Sequence, residues 1–132
     1  MISEFNVSSQ ERYQLIDVTD KVEKAVKESG IKDGLVLVFV PHSTAGILLT
    51  ENEEGLKQDW LVFLKKLVSG FSFQHDKIDN NADSHILSGL VGQEKTFPLR
   101  GGQIIRGTWQ QIFLLELDGP RDRKIIVTIV KD

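Results

Sequence analysis

The chain has 132 residues, of which 40% are hydrophobic and 27% are charged, a composition typical of one soluble globular domain over residues 1–132. The net charge of −3 argues against a sequence-independent nucleic-acid binder, which needs a basic face. The absence of cysteine excludes disulfides, thiolate nucleophiles and Cys-type zinc sites. Neither end carries a long uncharged apolar run, so we expect a cytoplasmic protein with no membrane partner.

The first part of the chain predicts two strands and a short helix. Residues 2–8 and 13–18 alternate apolar and polar side chains, as strands with one solvated face do. Thr19 or Asp20 offers an N-cap for a helix that is expected to end at Gly30. These elements are typical of a sheet edge followed by a covering helix.

An apolar run then leads directly into a polar cluster. Residues 34–40 predict a strand buried on both faces, and Pro41 ends it because proline has no N–H to donate. His42, Ser43 and Thr44 follow, and a strand end is a rigid place from which to present their side chains. The alternative interpretation is an ordinary polar loop between two strands.

The middle of the chain predicts a short strand and a helix. Residues 45–50 form the strand, and Glu51 and Asn52 follow it with a carboxylate and an amide. A helix is predicted over residues 53–68 because apolar side chains recur at spacings of three and four. These side chains are Leu56, Trp60, Phe63, Leu64 and Leu67.

The remainder predicts a loop, a helical segment and four strands. Residues 71–81 lack any period and are read as an ordered loop, and one or two helical turns follow up to Gly89 or Gly92. The strands are predicted over residues 95–99, 103–106, 108–117 and 124–130. Strands with two or three inserted helices favour an α+β fold, a mostly antiparallel β sandwich.

The three histidines, His42, His75 and His85, all lie in non-periodic polar segments. Three neutral imidazoles with one open position make a catalytic zinc-type site, so the sequence predicts a divalent metal, Zn or Mg. Separate hydrogen-bonding roles for loop histidines are the alternative. A catalytic site with Ser43 or Ser84 as nucleophile is a weaker alternative, because the chain has no Gly-x-Ser-x-Gly elbow. We predict that the three imidazoles converge on one polar pocket, with Glu51, Asn52 or Asp83 nearby.

Two further features carry candidate chemistry. Glu116 closes an apolar run, so it is expected either to have a partner, Arg121 or Arg106, or to have a raised pKa and an acid/base role. Trp109, beside Gln110, offers a flat surface for a heteroaromatic ring, with a core tryptophan as the alternative. A local basic excess suits phosphates, and it comprises Arg100, Arg106, Arg121, Arg123 and Lys124.

In chain order these motifs resemble those of the YjbQ family, also called the secondary thiamine-phosphate synthase family. The resembling segments are 41–45, 51–53, His75, 81–85, Pro98, 107–112 and Glu116. The Gly-Thr-Trp-Gln-x-Ile element, combined with the two His motifs, is specific, and the resemblance covers nearly the whole chain. There are departures: Gly55 and Leu56 stand where many members carry Pro-Asp, and Gln111 replaces a common glycine.

The resemblance implies an α+β sandwich that assembles as a homotrimer with sites near subunit boundaries. We expect the interface to use sheet edges and apolar C-terminal strands, since residues 112–117 would be hazardous as an open edge. The implied activity is condensation of hydroxymethylpyrimidine diphosphate with thiazole phosphate, both phosphorylated small molecules. The alternatives are a non-catalytic trimeric binding protein for a metal or small anionic metabolite, and a metal-assisted hydrolase with Glu51 or Glu116 as general base.

The residues and the resemblance together give a candidate role to thirteen positions. Catalytic roles are assigned to Glu51, Asn52, Asp83 and Glu116. Substrate contacts are assigned to Ser43, Thr44, Asn81, Trp109, Gln110 and Arg121. Metal ligation is assigned to His42, His75 and His85.

Overall fold

A computed structural model describes residues 1–132 and confirms an α+β fold of two antiparallel sheets and three α-helices. The strands are β1 (Ile2–Ser8), β2 (Gln14–Asp17), β3 (Gly34–Phe39), β4 (Ala45–Thr50), β5 (Glu94–Arg100), β6 (Gln103–Ile104), β7 (Gln111–Glu116) and β8 (Asp122–Lys131). The helices are α1 (Thr19–Ser29), α2 (Glu54–Val68) and α3 (Ala82–Val91), with a short 3-10 helix at Gln74–Lys77. None of these helices combines the length and the apolar character that crossing a bilayer requires.

The two sheets differ in size. Sheet A has five strands in the order β1-β8-β3-β5-β6, and sheet B has three in the order β2-β7-β4. Because β7 lies between β2 and β4, its apolar residues are paired on both sides. The strand is therefore not an open edge, so it needs no subunit interface to protect it, and the homotrimer stays a prediction.

The main core lies between the two sheets. Alternate residues of β3 and β8, such as Val36 and Val127, are fully buried and face Ile47 and Leu114 of sheet B, as the period of two in strands requires. Helix α1 closes this core with Val22. Sheet A therefore buries one face against sheet B, while its opposite face carries no helix.

Helices α2 and α3 cover the other face of sheet B and form a second, smaller core with Leu115 and Leu117. The buried stripe of α2 runs along Trp60, Leu61, Leu64 and Val68. Phe63 and Leu67, which share the apolar spacing of this helix, are 57% and 46% exposed. They lie on the adjacent side of the helix, just beyond the stripe that faces sheet B.

Several element boundaries differ from the sequence predictions. Residues 107–110 form a turn instead of the start of β7, because the Gln110 Oε1 atom accepts a hydrogen bond of 2.7 Å from the Gly107 N–H. Trp109 consequently lies outside the sheet and is 71% exposed, so the core-tryptophan alternative is wrong. Helix α3 has ten residues, which is longer than expected.

The start of α1 also differs from the prediction. Thr19 is already the first helical residue, and the helix is stabilised instead by Asp17, whose Oδ1 atom accepts a 2.9 Å hydrogen bond from the Thr19 N–H. The Thr19 hydroxyl accepts from the Ile112 N–H at 2.8 Å. The hydroxyl that the sequence offers as a cap therefore ties α1 to sheet B.

Candidate functional site

A polar pocket of about 370 Å³ lies at one end of the sandwich, where β3 and β7 end and β4 and β8 begin. Apart from a proline, every lining residue is polar or charged. The lining residues are Pro41, His42, Ser43, Thr44, Asn81, His85, Asp118, Arg121 and Arg123. The segments 41–44 and 81–85 predicted from the sequence therefore meet here, which brings five predicted site residues and Arg121 to one place.

A larger groove of about 870 Å³ lies at the opposite end of sheet A, between Lys32 and Asp132. It contains none of the three histidines and none of the predicted catalytic or substrate-contacting residues. We therefore place the candidate site in the smaller polar pocket, where the chemically active side chains lie.

The floor of the pocket is a buried ion pair that joins the two sheets. The side chains of Arg123 and Glu116 are 3% and 0% exposed. Arg123 Nε donates to Glu116 Oε1 at 2.9 Å, and Arg123 Nη2 donates to Glu116 Oε2 and, at 2.9 Å, to the Thr44 hydroxyl. Ser9 Oγ also donates to Glu116 Oε1 at 2.6 Å. The prediction that Glu116 pairs with Arg121 or Arg106 is therefore wrong. Side chains alternate between the two faces of β8, and this alternation points Arg123 inward.

Glu116 is held in its ionised form. Burial by itself would raise the pKa of Glu116, but hydrogen bonds from Arg123, Ser9 and the Asp118 N–H outweigh burial and lower it. The proposed acid/base role with a raised pKa is therefore contradicted. Glu116 positions Arg123 and leaves no oxygen free for a substrate.

Arg123 presents one unused donor group to the pocket. All of its hydrogen bonds to protein atoms use Nε and Nη2, so Nη1 has no protein partner although the side chain is 3% exposed. Arg123 lines the polar pocket, and a guanidinium there with a donor that has no protein partner favours an anionic ligand.

The wall of the pocket is a hydrogen-bonded chain that begins at Arg121. Arg121 Nη2 donates to Asp118 Oδ2 at 3.1 Å, and Asn81 Nδ2 donates to the same oxygen at 2.9 Å. The Asn81 amide oxygen therefore faces His75, whose Nε2 lies 2.9 Å away. Since that oxygen can only accept, the network assigns the proton to His75 Nε2.

The other two histidines have different surroundings. His42 Nε2 accepts a 3.0 Å hydrogen bond from the Lys124 N–H, and burial together with the charge of Arg123 lowers the pKa of His42. In the neutral ring the proton is then on Nδ1. His85 packs edge-to-face on His75, with ring centroids 4.7 Å apart, and makes no side-chain hydrogen bond to the protein. His85 is the histidine whose ring nitrogens are free for a ligand.

The three histidines do not form a ready metal site. No group of three or more His, Cys, Asp or Glu side chains is arranged to hold a metal ion. The Nε2 atoms of His42 and His75 already bond to protein groups. His75 keeps a lone pair on Nδ1, whereas the proton of neutral His42 is on Nδ1, so His42 has no free lone pair for a metal in this arrangement. Metal ligation by His42, His75 and His85 stays a prediction.

Asp83 lies on α3 close to the pocket residues but faces away from them. Its carboxylate accepts 2.9 Å and 2.7 Å hydrogen bonds from Arg12 and from the Tyr13 hydroxyl. Burial and this carboxylate together raise the pKa of Tyr13. The structure therefore gives Asp83 a role in attaching α3 to the segment before β2.

The remaining predicted residues lie at the far end of sheet B. The pairing of β4 with β7 sets Ala45 opposite Glu116 at the pocket end and Thr50 opposite Gln111 at the other. The two ends are about 17 Å apart at about 3.4 Å per residue. The residues beyond Thr50 and before Gln111 are consequently separated from the pocket within one chain. They are Glu51, Asn52, Trp109 and Gln110.

Three important residues were missed or underused by sequence reasoning. Asp118 orients Asn81 and Arg121, Ser9 donates to Glu116, and Arg123 forms the pocket floor. A signal for Arg123 existed, because it shares the period of two with Ile125 and Val127, both of which are buried. No local pattern pointed to Ser9 or Asp118, since their contacts depend on how distant segments meet.

Asn81→Asp is expected to lower the free energy of unfolding by about 1 to 3 kcal/mol, because it replaces a donor to Asp118 with a second carboxylate. Urea denaturation followed by circular dichroism measures this loss. Asn80→Asp is the matched control, since only the backbone oxygen of Asn80 is hydrogen-bonded. Equal losses in the two variants would contradict an orienting role for the Asn81 amide.

Comparison with known proteins places the chain in a family. The family model described as UPF0047 protein YjbQ-like matches residues 3–132. A UPF0047 protein of Archaeoglobus fulgidus is 43% identical, with 94% of this chain and 97% of that protein covered. The UPF0047 protein YugU of Bacillus subtilis is 31% identical, with 98% and 99% covered.

Solved structures agree with this result. The crystal structure of a YbjQ-like protein of unknown function from Sulfolobus solfataricus has a TM-score of 0.97 and 45% identity, covering 100% of this chain and 97% of that one. A conserved protein of the yjbq/upf0047 family from Clostridium acetobutylicum has a TM-score of 0.91 and 38% identity, covering 97% and 99%. The chain therefore belongs to the YjbQ-like UPF0047 family.

Proposed function

We propose that the polar pocket binds the diphosphate of a small molecule and that the protein is a transferase of the thiamine-phosphate synthase type. It would join hydroxymethylpyrimidine diphosphate to thiazole phosphate. The observation that carries the proposal is the free Nη1 of buried Arg123, in a pocket with Arg121, His42 and His85 and one carboxylate, Asp118. Glu116 and Asp118 balance the charges of the two arginines. A diphosphate would therefore be bound through the N–H donors of Arg121, Arg123 and the imidazoles that have no protein partner.

The reaction requires the protein mainly to orient the two substrates and to stabilise the charge on the departing pyrophosphate. The thiazole nitrogen attacks the methylene carbon of the pyrimidine, and the carbon–oxygen bond to the diphosphate breaks with its electron pair leaving on pyrophosphate. Arg121 and Arg123 would stabilise the charge on the departing group, and His85 could donate a proton to it. The histidines are not arranged to hold the predicted divalent metal, so the charge on the departing group would be stabilised by the two arginines.

A non-catalytic binding protein for a phosphorylated metabolite is the second candidate. It is favoured by the state of the carboxylates, since Glu116 is buried in an ion pair and Asp118 is engaged by Arg121 and Asn81. No unengaged carboxylate faces the pocket to act as a general base. For the same reason the hydrolase alternative, with Glu51 or Glu116 as base, receives no support from the geometry.

Arg121→Ala is expected to weaken pyrophosphate binding by roughly 10-fold to 100-fold, the effect of removing a charge-assisted hydrogen bond. Isothermal titration calorimetry measures the binding, and chromatography of thiamine phosphate measures turnover of the two substrates. Arg12→Ala is the matched control, because Arg12 also pairs with an aspartate and is 46% exposed, against 53% for Arg121.

Pyrophosphate binding that both variants weaken equally, or that the wild type lacks, would contradict the proposed pocket. Binding without any thiamine phosphate formed would refute the transferase and support the second candidate. Product formed by the wild type and reduced only in Arg121→Ala would support the transferase.

A further inference from the structure

We propose that a second pocket, beside the start of α3, binds a planar aromatic molecule that carries an anionic group. The proposal does not depend on the proposed function, because this pocket and the polar pocket have no lining residue in common. Its volume is about 400 Å³, within the range of roughly 300 to 1,000 Å³ that small-molecule sites occupy. We call it the aromatic pocket, and its lining includes Arg12, Tyr13, Lys65, Phe71 and Phe73.

One wall of the aromatic pocket is a pair of phenyl rings. Phe71 and Phe73 stack nearly parallel, with ring centroids 5.5 Å apart and an angle of 17° between the ring planes. Phe71 is 66% exposed, so most of its apolar surface is in contact with water. A flat ligand ring that stacks on this wall would remove that surface from water. The wall therefore favours an aromatic ring over an aliphatic chain.

The segment that carries the two phenyl rings is fixed to its surroundings at two places. Asp76, in the 3-10 helix, accepts a 3.0 Å hydrogen bond from the Ala82 N–H at the start of α3. The Arg12 Nη2 atom donates to the backbone oxygen of Asn80 at 3.1 Å. A ligand would therefore meet a wall that is already ordered, so little conformational entropy would be lost on binding.

Lys65 is the cation of the aromatic pocket that no carboxylate neutralises. Its Nζ atom lies 5.4 Å from the centre of the Tyr13 ring, and Lys65 takes part in none of the ion pairs of the chain. Arg12 and Asp83 neutralise each other, and the carboxylate of Asp76 bonds to the N-terminal end of α3. The remaining positive charge of the pocket is therefore on Lys65.

Arg12 adds further donors to the same pocket. Its hydrogen bonds to Asp83 and to the Asn80 backbone both use Nη2, so Nε and Nη1 have no protein partner. Phosphate and carboxylate oxygens both accept from ammonium and guanidinium groups. The free donors of Lys65 and Arg12 therefore favour an anionic substituent on the ring that stacks on Phe71.

Adenosine monophosphate and indoleacetate are the probes for this site, because each joins a flat ring to an anion, a phosphate in the first and a carboxylate in the second. Isothermal titration calorimetry, with excess pyrophosphate present to occupy the polar pocket, should give a Kd below about 1 mM for at least one of them. The neutral counterparts adenosine and indole should bind at least about tenfold more weakly. The anionic probe that binds more tightly assigns the preferred anion as phosphate or carboxylate.

Phe71→Ala should weaken binding of the tighter probe roughly 5-fold to 150-fold, the effect of removing a stacking partner from a flat ring. Phe63→Ala is the matched control, because Phe63 is 57% exposed, against 66% for Phe71, and lies outside the aromatic pocket. Lys65→Met should weaken binding roughly 10-fold, the effect of removing a charge-assisted hydrogen bond. Lys66→Met is its control, since Lys66 is exposed and does not line the pocket.

A Kd above about 1 mM for both anionic probes, equal weakening by Phe71→Ala and Phe63→Ala, or neutral probes that bind as tightly as the anionic ones would overturn the proposal. All four variants change exposed side chains, and circular dichroism checks that each one keeps the fold. Binding of these probes needs no turnover and no pyrophosphate. Failure of the aromatic pocket would therefore leave the polar pocket standing, and the converse also holds.

Discussion

Replacing Arg123 with methionine is expected to lower the free energy of unfolding by about 3 to 5 kcal/mol, because it leaves the ionised Glu116 buried without its partner. Glu116 is fully buried, and methionine can fill the space of the arginine stem but cannot donate to the carboxylate. Urea denaturation at pH 7, followed by circular dichroism, measures the change.

Arg121→Met is the control for this prediction, since its pair with Asp118 is half exposed and is expected to contribute only about 0 to 1 kcal/mol. The double variant Arg123→Met/Glu116→Leu should recover part of the stability, because it removes the unpaired charge. Equal losses from Arg123→Met and Arg121→Met would show that the buried pair does not hold the sandwich together.

His85→Ala is expected to lower kcat for thiamine phosphate formation by about 10² to 10⁴, the usual loss when a proton donor is removed. The fold should be retained, because the His85 side chain makes no hydrogen bond to the protein and contacts His75 only through the ring. Initial rates at saturating substrate, measured with and without a chelator, provide the test.

Ile86→Ala is the matched control, since Ile86 follows His85 on α3 and is 40% exposed. Its rate should equal that of the wild type. Loss of activity in chelator that Zn or Mg restores would support the predicted metal, and full activity in chelator would refute it. Equal rates in His85→Ala and the wild type would exclude His85 from the chemistry.

The fold was predictable because its signals are local. Alternation marked β1 and β2, the continuous apolar run marked β3, and the three-and-four spacing marked α2. The element boundaries were predicted wrongly where a side-chain hydrogen bond, which the apolar pattern does not record, determines the local structure. Gln110 closes its own turn and so keeps Trp109 out of β7.

The site was predictable only in part. The segments around His42, Asn81 and His85 could be recognised as polar interruptions of apolar elements, and they do converge. The predicted grouping of Glu51 and Trp109 with them fails within one chain, because strand pairing between β4 and β7 is a long-range property that no local pattern records.

The position of β8 has a consequence for how the chain acquires its structure. This last strand lies between β1 and β3, and its pairing joins Ser8 to Asp122 across 114 intervening steps of sequence. During synthesis β1 therefore has no strand neighbour, and β3 can pair only with β5, until β8 has been made. Contacts so distant in sequence make folding slow. Arg121 and Arg123 are made with the same segment, so the polar pocket and the larger sheet are completed in one late step.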